Sequence, residues 1–216
     1  MLEDPQAQAI ISRARQKNVA AAQRSGRDFD RIFADFFPGR RVPGGFSGQR
    51  AIDLGPGQFD FARIICACGG ACDSIDDDPA VVELGRYLDL PVTRGDLRTF
   101  DFRGLAGRYD GLFSKFSLNA YWLDGAGLAE RIAAIDDMLR PDGWGWVAPW
   151  NGRPGTLADD ALARGLLDAQ ARAFAGRGWR VIRLEPEQAA WYGLSGRVDN
   201  HVIFVRNLAV PGGLQS

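Results

Sequence analysis

A glycine-rich turn between a predicted strand and a predicted helix is the feature of this sequence best suited to binding a ligand. A short apolar run ends in Asp53, which is followed by Gly55 and Gly57. Glycine tolerates positive φ angles and lets a ligand approach the backbone closely. The helix that follows presents unpaired N–H groups and the positive end of its dipole. The turn therefore predicts a nucleotide-type ligand. Asp53 would repel a diphosphate, so it favours a ligand that carries an ammonium group.

Two further acids follow at intervals typical of a nucleotide-binding α/β fold. Asp76 ends a second predicted strand, 23 residues after Asp53, and Asp96 follows a third predicted strand. A carboxylate about 20 residues beyond a glycine turn is where such folds bind ribose hydroxyls. A carboxylate at position 96 can accept a hydrogen bond from an adenine amino group. The three acids together predict a nucleoside that bears an amino acid.

The order of these motifs resembles that of the class I S-adenosylmethionine-dependent methyltransferases. Residues 53–57 are similar to the first motif of that family, residues 75–79 to its second-strand motif and residues 95–96 to its third. Residues 109–114 are similar to its fourth strand, and residues 139–143 to the turn before its fifth. Many members keep a third glycine where this chain has Phe59. The resemblance spans roughly residues 48–206.

The resemblance implies a cofactor, S-adenosylmethionine, and a set of residues that hold it. The cofactor-binding residues expected from the matched motifs are Asp53, Gly55, Gly57, Asp76, Asp96 and Ser114. It also implies an antiparallel last strand in the sheet.

Length and composition favour one globular domain without a macromolecular partner. The chain has 216 residues, of which 46% are hydrophobic and 25% charged, and its formal net charge is −1. Such a length supports one sizeable core, and so small a net charge creates no field that would recruit nucleic acid or membrane. We therefore expect a small-molecule acceptor and neither of those partners. No leader segment or apolar span is recognised, and the expected location is the cytoplasm.

The cysteines do not predict a metal site. Cys66, Cys68 and Cys72 lie close together, but no fourth ligand is near and the single histidine is distant in sequence. A buried helix end followed by a strand explains their spacing as well. We expect no bound metal and a reducing compartment.

Alternating strand and helix patterns predict an α/β fold, a three-layer sandwich with a mostly parallel seven-strand sheet. Strands are expected at 50–54, 71–75, 91–94, 109–114, 143–148, 179–185 and 200–206. Helices are expected at 59–68, 79–88, 125–139 and 156–177, with only a loop between the last two strands. The core is assigned to residues 46–216.

The first 45 residues are expected to form a helical cap, or lid, that belongs to the same domain. Helices are predicted at 6–24 and 28–37, and the second carries a series of phenylalanines that need a partner to be buried. The glycine-containing loop at 43–45 could act as a hinge.

Two residues are candidates for catalysis because they should lie at the carboxyl edge of the sheet, where open α/β folds bind ligands. Lys115 follows the predicted fourth strand, and His201 begins the antiparallel last strand. Lys115 can orient an anionic group or act as a base when desolvated. His201 can deprotonate a hydroxyl or ammonium group near neutral pH. A lysine that snorkels at a strand end and a structural histidine are the open alternatives.

The predicted acceptor site adds three residues, Asn119, Tyr121 and Tyr192, whose side chains could contact or stack on a substrate. Aromatic core packing is the alternative for both tyrosines. The sequence thus predicts methyl transfer from S-adenosylmethionine to an O or N atom of a small molecule. A non-catalytic S-adenosylmethionine-binding module is the first alternative, and a nicotinamide-dependent oxidoreductase is the second.

Overall fold

The fold is an α/β sandwich, seen in a computed structural model that describes residues 3–14, 22–119, 125–150, 160–194 and 201–214. The strands are β1 (Arg50–Leu54), β2 (Ala71–Asp76), β3 (Val92–Arg94), β4 (Tyr109–Asn119), β5 (Leu139–Trp150), β6 (Arg180–Arg183) and β7 (Val202–Arg206). The helices are α1 (Pro5–Ile11), α2 (Ala22–Phe36), α3 (Asp60–Ala67), α4 (Pro79–Tyr87), α5 (Gly125–Asp136), α6 (Asp160–Ala175) and α7 (Pro186–Trp191). A short 3₁₀ helix covers Phe102–Leu105.

The sheet has seven strands in the order β3-β2-β1-β4-β5-β7-β6. Strands β1 to β5 pair in parallel, whereas β7 is antiparallel to both of its neighbours, β5 and β6. This confirms the predicted fold class and the antiparallel last strand. Because β7 runs against the others, it begins at the edge where β4 and β5 end. None of the described helices is long and apolar enough to span a membrane.

Helices cover both faces of the sheet. One apolar cluster joins side chains of α1 to α4 and α7 to one face, and another joins α5, α6 and the 3₁₀ helix to the opposite face. The alternation along β1 decides which side chain belongs to which layer. Ala51 lies in the first cluster, and Ile52 and Leu54 lie in the second.

Helix α2 is a structural layer of the sandwich. The rings of Phe29, Phe36 and Phe37 lie 5.6, 6.1 and 5.0 Å from those of Phe113, Trp146 and Trp144 respectively. Burying one such side chain contributes about 1.5–3 kcal/mol. These contacts run along the sheet, so only the first described side chains of α2 reach the carboxyl edge.

Several sequence predictions about element boundaries are wrong; β5, for example, begins at Leu139 and not at residue 143. A single helix over 6–24 does not form, because α1 ends at Ile11, and α2 begins at Ala22 and not at Asp28. Strand β4 continues five residues beyond the predicted end, through a register irregularity between Lys115 and Asn119.

The predicted loop between the last two strands contains α7. Glu185 and Gln188 form a capping box at its start, and Pro186 occupies the first turn. Proline favours that position because it has no N–H group to leave unsatisfied. The local signals for this helix are therefore present in the sequence.

Candidate cofactor and acceptor site

The glycine turn has the geometry that the sequence predicts. Gly55 and Gly57 both have positive φ angles, 74° and 54°. The N–H group of Gly55 donates to the carbonyl of Ile75 at 2.9 Å, which fixes the turn against the end of β2. The turn leads into α3, whose first residue is Asp60. Its backbone thus meets the conformational requirement for a close approach by a ligand.

Phe59 stands where many members of the family that the sequence resembles have a third glycine, and its backbone conformation is one that favours glycine. Its φ angle is 62°, in the left-handed region, and it forms the N-cap of α3. A bulky residue rarely adopts this conformation, which costs of order 1–3 kcal/mol. Its side chain is fully buried, and this burial offsets the strain.

Carboxylates surround the turn in a largely buried setting. The side chain of Asp53 is 2% exposed, and its pKa is raised well above the usual value by burial and by repulsion from Asp76 and Asp60. Asp60 is itself buried. Burial disfavours the charged form of a carboxyl group and adjacent like charges disfavour it further, so a cation bound here would be favoured.

Asp76 lies at the end of β2, as predicted, and is mostly buried. Burial raises its pKa to about 7, although the N–H group of Asp78 donates to its Oδ1 atom at 2.8 Å. The neighbouring Asp77 is exposed. Asp78 is the N-cap of α4 and accepts from the N–H group of Ala80. The three consecutive acids therefore have distinct environments, and only Asp76 occupies the predicted ribose position.

Asp96 follows β3 and is held by Arg98. Its Oδ2 atom accepts from the Nε and Nη2 atoms of Arg98 at 2.9 and 2.5 Å, and this pairing lowers the pKa of Asp96. The residue lies on the expected edge of the sheet. Its contact with adenine stays a prediction.

Two serines of β4 donate hydrogen bonds to backbone carbonyl groups, one at the end of β1 and one in the glycine turn. Ser114 is fully buried and donates to the carbonyl of Leu54 at 3.2 Å. Ser117 donates to the carbonyl of Gly55 at 3.2 Å, and a Cβ atom at position 55 would lie 1.9 Å from its hydroxyl oxygen. Sequence reasoning missed Ser117, because it reaches the turn only through the irregularity in β4, where Phe116 has a φ angle of 66°.

Lys115 lies near the carboxyl edge and contacts α2. Its Nζ atom is 3.4 Å from Oδ2 of Asp28 and 5.6 Å from the ring centroid of Phe29. The lysine and aspartate side chains are 14% and 10% exposed. Burial lowers the pKa of Lys115, while Asp28 and, more weakly, Asp60 oppose that shift.

Asp28 is a residue that sequence reasoning did not select. It is buried between α2, the end of β4 and the segment after α7, where a Cβ atom at Gly193 would lie 1.8 Å from its Oδ2 atom. Gly193 has a φ angle of 64°. An aspartate predicted to begin a helix is ordinarily a cap, and only tertiary packing reveals its partner.

The structure locates two of the four remaining candidate residues in full, His201 and Tyr192. His201 is buried and immediately precedes β7, at the edge where β5 ends. Tyr192 is buried, and its hydroxyl donates to Oδ2 of Asp35 at 2.9 Å. Asn119 is described in its backbone alone, and Tyr121 lies outside the described residues. The roles of all four toward an acceptor stay predictions.

Comparison with known proteins identifies the fold. No protein-family model and no curated protein matches the sequence. A solved TehB-like S-adenosylmethionine-dependent methyltransferase of Corynebacterium glutamicum is 17% identical, with a TM-score of 0.50 over 93% of this chain and 96% of its own.

Two further solved structures are similar over nearly the whole chain. CalS10, an amino pentose methyltransferase of Micromonospora echinaspora solved with S-adenosylmethionine, is 15% identical with a TM-score of 0.50, covering 95% of this chain and 97% of its own. Phosphoethanolamine N-methyltransferase 1 of Haemonchus contortus is 14% identical with a TM-score of 0.57, covering 96% of this chain but 48% of its own. The chain therefore has the fold of the class I S-adenosylmethionine-dependent methyltransferases.

Proposed function

We propose that this protein is an S-adenosylmethionine-dependent methyltransferase that acts on an O or N atom of a small molecule. The observation that carries the proposal is the group of carboxylates around the glycine turn, of which Asp53 and Asp60 are buried and Asp76 is partly buried. Anionic side chains in a low-dielectric setting favour the sulfonium and ammonium groups of S-adenosylmethionine. They would repel the diphosphate of a nicotinamide cofactor.

The residues around the turn divide the work of binding. Gly55 and Gly57 allow the backbone to approach the amino-acid part of the ligand. Ionised Asp76 would accept hydrogen bonds from both ribose hydroxyls, and Asp96 would accept from the adenine amino group while it keeps its contact with Arg98. Ser114 contributes by holding the end of β1 in place, as its bond to Leu54 shows.

The chemistry requires alignment more than activation. Bound S-adenosylmethionine supplies a methyl group already activated by a sulfonium. The chain must hold an acceptor in line with that methyl group and exclude water, and well-oriented reactions of this kind reach effective molarities of roughly 10⁵–10⁸ M. The first turns of α2, the end of β4 and the start of β7 surround the place where the acceptor would lie. His201 is our candidate base, and Lys115 our candidate orienting group.

Further observations support the proposed class of acceptor, the proposed location of the enzyme and its organisation as one domain. The related CalS10 and phosphoethanolamine N-methyltransferase act on small molecules, and we propose the same for this chain. Cys66, Cys68 and Cys72 are free thiols, which suits a cytoplasmic enzyme. The contacts of α2 with the sheet support a single domain in which residues 1–45 complete the core.

Calorimetry tests the proposed ligand. S-adenosylmethionine or S-adenosylhomocysteine should bind with micromolar affinity, about −8 kcal/mol, and NAD should not. Binding of NAD alone would overturn the proposal. A separate assay of methyl transfer from radiolabelled S-adenosylmethionine to a panel of small amines and alcohols distinguishes an enzyme from a non-catalytic binding module.

A further inference from the structure

Asp28 has an unusual environment for a buried carboxylate. The residue is 7% exposed, and its ion-pair partner among the described residues is Lys115, at 3.4 Å. Hydrogen bonds between an ammonium group and a carboxylate are ordinarily about 2.7–2.9 Å long. The pair is therefore in contact without being tightly bonded.

Asp136 shows how this chain satisfies a buried carboxylate that has a structural role. Its oxygens accept from the guanidinium groups of Arg177 and Arg206 and from the indole N–H group of Trp179. Three donors thus neutralise and fix that side chain. Within the described part of the chain, Asp28 has one long contact in place of three short ones, so its carboxylate has room for a further donor.

The backbone around Asp28 leaves space for its carboxylate. Gly193 has no side chain where a Cβ atom would lie 1.8 Å from Oδ2 of Asp28, and its φ angle of 64° is one that residues with side chains rarely adopt. If Asp28 only neutralised Lys115, its carboxylate would not need to lie against the backbone of Gly193 in the segment after α7. Three separate segments, α2, β4 and the residues after α7, therefore converge on one anionic group.

The location of Asp28 relates it to the methyl group. In β4, Phe113 pairs with Asp53 of β1, and Lys115 is the next residue on the same face toward the carboxyl edge. Asp28 contacts Lys115 from above that face. If the ligand's amino-acid part lies at Asp53, then Asp28 lies on the acceptor side of the site.

We propose that Asp28 is the acceptor-binding carboxylate of this enzyme and that the acceptor is a primary or secondary amine. This inference rests on the proposed methyltransferase function and specifies its substrate class. The amine would donate to Asp28 alongside Lys115, which is the counter-ion of the aspartate before the acceptor binds.

The charge changes during the reaction favour a carboxylate at this position. The lone pair of the neutral amine nitrogen forms the new N–C bond while the C–S bond breaks, and its electron pair stays on sulfur. Positive charge moves from sulfur to nitrogen, and the proton that the resulting ammonium group loses would pass to His201, our candidate base. A fixed anion beside the nitrogen stabilises this charge as it develops. An alcohol acceptor would instead have to lose a proton before or during transfer.

Lysine NMR provides a binding test that does not depend on turnover. The chain has two lysines, Lys17 and Lys115, so side-chain ¹⁵Nζ or ¹³Cε signals are readily assigned with a Lys17→Met sample. Full-length protein saturated with S-adenosylhomocysteine is titrated with n-butylamine and cyclohexylamine, and in parallel with n-butanol and cyclohexanol. We expect the amines, and not the alcohols, to shift the Lys115 signal. If neither amine shifts it at 100-fold excess, the inference is wrong.

A second measurement uses variants and transfer of a radiolabelled methyl group. Asp28→Asn should reduce kcat/KM for amines at least 100-fold while S-adenosylmethionine binds as before. Asp30→Asn is the matched control on the same helix, because Asp30 is exposed and pairs with Arg41 at the surface. Transfer to alcohols but not to amines would overturn the inference and leave the proposed function intact. Failure to bind S-adenosylmethionine at all would overturn the proposed function itself.

Discussion

The ring of Phe59 lies against Gly85, with its Cζ atom 2.7 Å from where a Cβ atom at position 85 would be. Phe59 belongs to the turn after β1, and Gly85 belongs to α4. The missing side chain at position 85 therefore makes room for the large one at position 59. This contact explains how Phe59, a residue other than glycine, keeps a left-handed backbone conformation at the end of the glycine turn.

Gly85→Ala should destabilise the protein although alanine is the better helix former. The new methyl group would also lie 2.6 Å from Cγ1 of Val92, so both the β-branched Val92 side chain and the Phe59 ring must move. We expect overpacking of about 1–3 kcal/mol, which exceeds the gain of about 1 kcal/mol in helix propensity. Urea unfolding measures the net loss.

Gly165→Ala is the matched control, because Gly165 lies in α6 with nothing within 4 Å of an added Cβ atom. It should be neutral or stabilising by up to about 1 kcal/mol. Equal destabilisation by both substitutions would show that the Phe59 ring is not held against Gly85.

Binding of S-adenosylmethionine should weaken below neutral pH because of Asp76. Burial raises the pKa of Asp76 to about 7 in the free protein, whereas ribose hydroxyls are best held by the ionised carboxylate. Below pH 7 binding must first release a proton, so affinity falls as the pH drops through that value. Calorimetry should give a Kd about tenfold higher at pH 6 than at pH 8, from the change in ionised fraction.

Two variants distinguish this effect from a general one. Asp76→Asn should bind more weakly, by about 1.5–3 kcal/mol, and its affinity should not vary between pH 6 and 8. Asp77→Ala should retain both the affinity and the pH dependence, because Asp77 is exposed. A wild-type affinity that is constant over this range would contradict the assignment of Asp76.

The ion pair between Asp28 and Lys115 should couple two distant parts of the chain energetically. Removing one partner of a buried pair typically costs about 3–5 kcal/mol, since the other charge is left buried without compensation. We therefore expect Asp28→Asn and Lys115→Met to destabilise strongly when made singly, and the double variant to lose less than their sum. Urea unfolding of all four proteins gives the coupling energy, expected at about 1–3 kcal/mol.

The surface pair of Asp30 and Arg41 provides the comparison for this cycle. Both side chains are about half exposed, and such pairs contribute about 0–1 kcal/mol. Additive losses at Asp28 and Lys115, as at the surface pair, would mean that their contact does not stabilise the fold.

His201→Ala should lower kcat by about 10²–10⁴-fold if His201 is the base that accepts a proton from the acceptor. The dependence of the rate on pH should flatten, because the group that accepts the proton has been removed. The Kd for S-adenosylmethionine, measured by calorimetry, should stay unchanged. A variant with normal kcat and a normal pH profile would assign His201 a structural role.

The sequence alone was sufficient to predict the order of the strands and helices on either side of the glycine turn. Strand β1 begins and ends where predicted, and Gly55 and Gly57 adopt the positive φ angles expected of them. Period-two and helical patterns are local properties, so they can be read without knowing the fold. Helix α7 also has a local signature in the sequence, its capping box.

The tertiary structure decided what those elements place together. Asp28 and Lys115 are 87 residues apart in sequence, and Ser117 reaches Gly55 across 62. Neither contact has a local signature, because each depends on how α2 lies on the sheet and on an irregularity inside β4. Phe59 is a further example, because its strained backbone conformation is explained by a long-range contact, the packing of its ring against Gly85. Local chemistry determined which residues could bind a cationic nucleoside, and long-range packing determined which of them lie together at the carboxyl edge of the sheet.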